Sequence, residues 1–180
     1  MSTEPQSRLF FAIGCSTPLK KEISRWRTSL SLRVGRPVPT ANFHLTLLFL
    51  GSVDKAKIAD LCTAASNVKV PERKLTVLLD RLEVWRKSGA LVLTPENPPQ
   101  EVMRLAYALE QSMLPFGNDQ EQKEFRPHLT LARDYRLPVP EAPDEPAFML
   151  RADRFGLYQS SKGEYRLIAE WPLVSTGGEA

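Results

Sequence analysis

The chain has 180 residues with a net charge of +3, and is 42% hydrophobic and 25% charged. This is the make-up of an ordinary globular protein of one domain or two small lobes; it permits an anionic ligand but excludes a disordered chain or a surface built to coat nucleic acid. Two cysteines, Cys15 and Cys62, are too few and too unpatterned for a disulfide scaffold or a zinc ribbon, and read as reduced core residues of a cytoplasmic protein. No apolar run approaches the ~18 residues of a membrane span.

Met1 to Ser7 is polar and expected to be loose. Arg8 to Ile13 reads as a buried first strand. The run Leu9 to Cys15 mimics a short signal-peptide core, but it lacks a small-x-small cleavage site and gives way at once to Thr17-Pro18-Leu19-Lys20-Lys21. Ser16 or Thr17 caps a helix with Pro18 at its first position, and Ile23, Trp26 and Leu30 recur along it at helical spacing. Gly35 to Thr40 is a loop, Phe43 to Leu50 a strand ended by Gly51, and Asp54 to Val68 a second helix. Leu75 to Trp85 is strand-like, and Ser88-Gly89 turns the chain into a strand over Ala90 to Thr94. Val102 to Met113 is a third helix and Phe116 to Glu124 a polar loop. Phe125 to Ala132 is a strand preceding a proline-rich loop over Arg133 to Pro146. Ala147 to Gln159 and Tyr165 to Trp171 read as a closing pair of strands. Hairpins mixed with helical crossovers argue an α+β fold with mostly antiparallel sheets, helices outside and an open cleft.

One tetrapeptide stands out of this order. His-Leu-Thr-Leu occurs at His44 to Leu47 and again at His128 to Leu131, and these are the only two histidines in the chain. At usual residue frequencies a given second histidine is followed by Leu-Thr-Leu roughly once in a few thousand tries. The copies are close to half a chain length apart, which argues two similar lobes feeding one place. In a strand, side chains alternate faces at about 3.3 Å per residue, so each histidine shares a face with its threonine, roughly 6.6 Å away, while the leucines point to the core. A helix does not put positions i and i+2 on one face.

Two imidazoles and two hydroxyls suit acid–base work on a phosphate. The ordinary histidine pKa, near 6.5, lets one ring be neutral and the other protonated close to neutrality. A threonine hydroxyl is a short neutral donor for a non-bridging phosphate oxygen. A zinc site is the competing use of paired histidines, but it needs three or four ligands, and neither histidine has a Cys, Asp or Glu at motif spacing. No Gly-x-Ser-x-Gly occurs, which disfavours a serine hydrolase. The expected site takes no metal and no cofactor.

With these motifs the chain resembles the 2H phosphoesterase superfamily and, within it, the bacterial RNA 2′,3′-cyclic phosphodiesterases, also called 2′-5′ RNA ligases. The resemblance rests on Arg8-Leu9-Phe10-Phe11-Ala12-Ile13, Asn42-Phe43-His44-Leu45-Thr46-Leu47, Phe49-Leu50-Gly51, Arg126-Pro127-His128-Leu129-Thr130-Leu131-Ala132-Arg133, Tyr165-Arg166-Leu167 and Trp171-Pro172-Leu173. It implies one bilobal domain over residues 1–180, with two sheets facing a water-filled cleft. It implies metal-free opening of RNA 2′,3′-cyclic phosphate ends to 2′-phosphate by a cytoplasmic monomer with no membrane partner. A 5′-hydroxyl end replacing water would give 2′-5′ ligation. By motif position, His128 would be the base, His44 the acid, and Thr46 and Thr130 the phosphate holders. Arg133 would face either the phosphate or a surface carboxylate. Phe10 or Phe11 would stack on a base, with core packing as the competing reading. Tyr165 would line the cleft or be buried in a sheet, and Trp85 reads as core. The alternatives are an RNA-end or nucleotide binder without turnover, and a phosphodiesterase for small cyclic or 2′-5′-linked nucleotides.

Overall fold

The computed structural model describes residues 5–71, 74–116 and 124–173. In chain order the elements are β1 (Gln6–Gly14), α1 (Thr17–Ser29), β2 (Arg36–Pro37), β3 (His44–Asp54), α2 (Ile58–Ser66), β4 (Leu75–Leu79), β5 (Arg81–Trp85), β6 (Ala90–Thr94), α3 (Gln100–Met113), β7 (Leu129–Arg133), β8 (Phe148–Ala152), β9 (Arg154–Ser161) and β10 (Glu164–Pro172). They form an α+β fold in which every described strand pair is antiparallel. One sheet has the order β10-β9-β1-β3, a second β2-β7-β6-β5, and β4 pairs with β8 alone.

The two larger sheets do not correspond to the two halves of the chain. β9 and β10, from its end, complete the sheet of β1, and β2, from its first quarter, joins β7. The two motif strands β3 and β7 lie beside each other. The Val38 N–H donates to the Leu131 carbonyl at 2.9 Å, and Arg27 on α1 donates one guanidinium nitrogen to both the Val38 and Leu131 carbonyls, at 2.6 and 2.9 Å.

β1 is central, between β3 and β9, and its apolar run is buried on both faces. Leu9, Phe11 and Ile13 join the main core, while Phe10 and Ala12 sit on the other face. That is why the segment reads as a continuous apolar run rather than an alternating one. α1 starts as its residues dictate: the Ser16 side chain accepts from the Leu19 N–H, Pro18 occupies the first turn, and Leu19 and Ile23 are buried.

Several boundaries differ from the expectation. Ser7, expected loose, is in β1 and buried. Gly51 does not end β3 but carries it through a bulge: Leu9 faces Gly51 and Phe10 faces Phe49, so Leu50 is extra, and Gly51 takes φ of +74°, a conformation that costs glycine little. The strand continues to Asp54, which is tied to Gln6 at 3.1 Å, so α2 begins only at Ile58. Arg36 and Pro37, placed in a loop, form the short β2. Leu75 to Trp85 is two strands in different sheets, broken at Asp80, whose carboxylate accepts from the Glu96 N–H. β7 begins at Leu129 rather than Phe125, consistent with Pro127 having no N–H to give a ladder. The expected closing pair is three strands, because β8 leaves to pair with β4. Residues 1–4 of the expected loose start, residues 117–123 of the expected Phe116–Glu124 loop and the tail beyond 173 lie outside the described residues.

Both motif strands carry a bulge at the same place. Phe11 faces Leu48 while Ala12 faces Thr46, so Leu47 is extra. Leu91 faces Ala132 while Val92 faces Thr130, so Leu131 is extra. In each copy the fourth residue of His-Leu-Thr-Leu is the bulged one, immediately after the threonine. Bulges of this kind re-aim side chains and bend the strand.

Candidate active site

The two histidines are held alike. His44 Nδ1 lies 2.7 Å from the Asn42 carbonyl, and His128 Nδ1 lies 2.7 Å from the Arg126 carbonyl. In each case the partner is the carbonyl two residues earlier. A carbonyl only accepts, so Nδ1 carries the proton in both rings and Nε2 of the neutral ring is a lone-pair acceptor. At His44 that acceptor is already used: Nε2 lies 2.7 Å from Thr46 Oγ1, so the hydroxyl donates to it. At His128, Nε2 has no such bond to Thr130. The repeat is therefore chemically asymmetric.

The rings are close enough to feel one another and a common cation. Burial pushes the His44 pKa down to about 4, and the charges of His128, Arg133 and Lys20 push in the same direction against the pull of the Asn42 carbonyl. His128 is also held below its ordinary value, by burial first and then by the charges of Arg126 and Arg133, against the pull of the Arg126 carbonyl. Both imidazoles are therefore neutral near pH 7.

Around His44 the wall is aromatic. Phe10 lies 5.1 Å from its ring centre and Tyr165 stands edge-on at 5.2 Å. Tyr158 stacks on Phe10 at 5.4 Å, and Tyr165 and Phe49 pack against Phe10 at 5.0 and 5.9 Å. Phe10 is only 3% exposed, so it is the floor under these rings. Tyr158 and Tyr165 are half-buried and Phe49 is 49% exposed, so these keep accessible faces. Phe11 is fully buried against Phe155 and Trp171. Ala12 lies between Thr46 and Gly156 across three strands. A Cβ on Gly156 would come within 2.6 Å of the Leu167 side chain.

Around His128 the wall is different. Trp85, read from the sequence as core, packs on the imidazole with ring centres 4.3 Å apart. The Arg126 guanidinium lies over the same indole at 4.5 Å. Thr130, Val92 and Glu83 form one cross-strand row on β7, β6 and β5. Arg133, at the end of β7, is exposed and makes no ion pair with a described residue; Asp134 is taken by Arg36 at 2.6 Å. Lys20, which the sequence did not single out, donates to the Ala41 carbonyl at 2.9 Å within reach of His44.

The structure thus gathers His44, Thr46, His128, Arg133, Phe10 and Tyr165 about one region, with Thr130 on the face of β7 that its motif predicts. Among the described residues no group of three or more His, Cys, Asp or Glu forms a metal-binding cluster. No described helix is long and apolar enough to cross a membrane. Cys15 and Cys62 are free and half-buried; burial pushes the Cys15 thiol up to about 12.

Comparison with known proteins agrees with this geometry. The LigT-like phosphoesterase family profile matches twice, over residues 13–92 and 92–168, so each match contains one motif. The chain is 35% identical over 177 residues to the RNA 2′,3′-cyclic phosphodiesterase of Escherichia coli strain K12, covering 96% of this chain and 99% of that protein. It is 30% identical to the protein of the same name from Thermotoga maritima, over 86% of this chain and 87% of the relative. A crystal structure of E. coli LigT complexed with 3′-AMP superposes with a TM-score of 0.87 at 31% identity, covering 95% of this chain and all of the other. On the paired motifs, the fold that unites them and these similarities, the chain belongs to the LigT-like phosphoesterase family.

Proposed function

We propose that this protein hydrolyses the 2′,3′-cyclic phosphate at RNA ends to a 2′-phosphate, with the two histidines as its acid–base pair and no metal. The observation that carries the reading is the asymmetry at Nε2. Among the described residues Nε2 of His128 has no hydrogen-bond partner, as a base requires, whereas Nε2 of His44 is engaged by Thr46. His128 takes a proton from water as the water oxygen bonds to phosphorus. The bond from phosphorus to the 3′ oxygen breaks, and His44 gives that oxygen its proton. Solvent exchange then restores both rings.

His44 must be charged to act as the acid, and on its own near pH 7 it is neutral. An anionic phosphate beside it supplies the missing stabilisation and raises its pKa, so substrate binding brings the proton. Once Nε2 is protonated it no longer accepts from Thr46, so the Thr46 hydroxyl is free to donate to a phosphate oxygen while the Nε2 proton serves the departing 3′ oxygen. Thr130 serves the phosphate from the other strand, and Arg133, whose charge acts on both rings, offsets its charge. Tyr165 and Phe49, above the Phe10 floor, give the terminal base a surface to stack on. A 5′-hydroxyl RNA end in place of the water would run the same geometry to a 2′-5′ linkage.

The twice-matched family profile and the bulge shared by both motifs support one domain of two pseudo-symmetric lobes. Because one chain supplies both histidines, a monomer has a complete site. The test is hydrolysis of a 2′,3′-cyclic nucleotide and of cyclic-phosphate-ended RNA in EDTA, with the product isomer identified. We expect turnover to 2′-phosphate, its loss in folded His44→Ala and His128→Ala proteins, and a bell-shaped kcat/KM profile. Binding without turnover, loss of activity in EDTA or a flat profile between about pH 5 and pH 9 would overturn the reading.

A further inference from the structure

Trp85 closes β5 and has no part in the acid–base pair, yet its ring is packed directly on His128. Arg126 acts on the same imidazole directly and through the indole. Its carbonyl takes the Nδ1 proton at 2.7 Å, and its guanidinium covers the indole that lies on the ring. Glu83 stands two residues before Trp85 on the same face of β5 and approaches Arg126 Nη2 at 3.9 Å, while its other oxygen accepts from the Thr94 hydroxyl at 2.6 Å. The Trp85 indole N–H is buried with no hydrogen-bond partner among the described residues. A stranded buried donor is destabilising, so this indole is placed by the two groups that sandwich or cover it rather than by a hydrogen bond of its own. Rules broken locally in this way are expected where function holds a side chain in place.

We propose that Trp85 and Arg126 are positioning residues for His128: together they hold its imidazole with Nδ1 protonated and Nε2 turned toward the attacking oxygen, and Glu83 with Thr94 sets where Arg126 sits. The role assigned to Nε2 rests on the acid–base reading above; the holding of the ring does not. A base works only within about 2.6–3.2 Å of the proton it takes, and a misplacement of about 1 Å costs on the order of 100-fold in rate. The charged groups that act on His128 are Arg126 from its own segment and Arg133 from β7, and the titratable His44 on β3 in turn feels His128. β5 contributes the neutral indole, with Glu83 acting through Arg126.

The two histidines of the chain make the test direct, because imidazole resonances in NMR titrations come from only two rings. Arg126→Gln keeps the carbonyl and removes the charge, so the His128 pKa should rise. Glu83→Gln leaves Arg126 uncompensated, so it should fall; Arg126→Lys should restore most of the wild-type value, and His44 should move less in every variant. Trp85→Ala should lower kcat on a cyclic nucleotide by roughly 10–100-fold with KM little changed, and Trp85→Phe should keep most of the rate. Opposite shifts for the two partners of one pair are not expected of a residue that merely stabilises the lobe. The inference fails if His128 shifts the same way in Arg126→Gln and Glu83→Gln, or not at all. It also fails if folded Trp85→Ala turns over like wild type. Should Trp85→Ala not fold, the titrations and Trp85→Phe decide. A wild-type protein without hydrolysis would sink the functional reading, and the titrations would still judge the positioning.

Discussion

Acidification should loosen this fold through one imidazole. His44 is buried and its pKa is pushed down from 6.5 to about 4, whereas in the unfolded chain it returns to its ordinary value. The unfolded state therefore binds the extra proton first, and the stability contributed by the neutral ring is present above pH 6.5 and lost as the pH falls toward 4. A gap of about 2.5 units at 1.36 kcal/mol per unit is roughly 3 kcal/mol, most of it gone by pH 4.5. That is a large part of the about 5–15 kcal/mol that holds a domain together. Carboxylates titrate in the same range, so the assay is a difference: urea unfolding of wild type and His44→Gln at several pH values from 7.5 to 4.5. The wild type should lose about 2–3 kcal/mol more than the variant over this interval. Added inorganic phosphate should shrink the difference, because an anion beside His44 raises its folded pKa. Parallel pH dependences for the two proteins would refute the account, and so would a wild type that gains stability on acidification.

Thr46→Val removes the 2.7 Å bond to His44 Nε2 without changing side-chain size much, so kcat should fall by roughly 10-fold or more while Thr46→Ser keeps most activity, as measured with a cyclic nucleotide. Arg27→Met leaves the Val38 and Leu131 carbonyls without their guanidinium donor and should destabilise by about 1–3 kcal/mol in urea unfolding. Phe10→Ala empties the floor of the aromatic wall and should cost about 3–5 kcal/mol of stability, whereas Tyr165→Ala, on a half-buried ring, should chiefly raise KM for a substrate carrying a base. If Phe10→Ala left the melting temperature unchanged, that ring would not be a support.

The imidazole–threonine pairs were legible because strand alternation is a local rule, and in β3 it holds well enough for His44 and Thr46 to bond across two residues. The first helix was legible for the same reason: cap, proline and apolar spacing lie within a few residues of one another. Trp85 was not. A tryptophan at a strand end reads as core, and only the pairing of β5 with β6 and β6 with β7 brings it onto an imidazole far along the chain. Phe10 was half legible: its strand and burial follow from the apolar run, but its place beneath Tyr158, Tyr165 and Phe49 depends on strands from both ends of the chain. The break at Asp80 and the continuation of β3 past Gly51 were not legible, because each is decided by a partner strand, not by the residue's own propensity.

The amino-acid order alone singled out the paired histidines and threonines and determined which face of its strand each one takes, since alternation, capping and burial act over two to four residues. It did not determine that the two copies differ. Both rings begin with the same carbonyl anchor, but one is backed by Phe10 and Tyr165 and engaged by Thr46, the other by an indole that a guanidinium covers. Those surroundings come from distant strands, and how deeply a ring is buried and which charges face it are properties of the assembled chain. The tertiary structure therefore decided what two identical tetrapeptides could not: which histidine has its Nε2 engaged by its threonine and which has no such partner among the described residues.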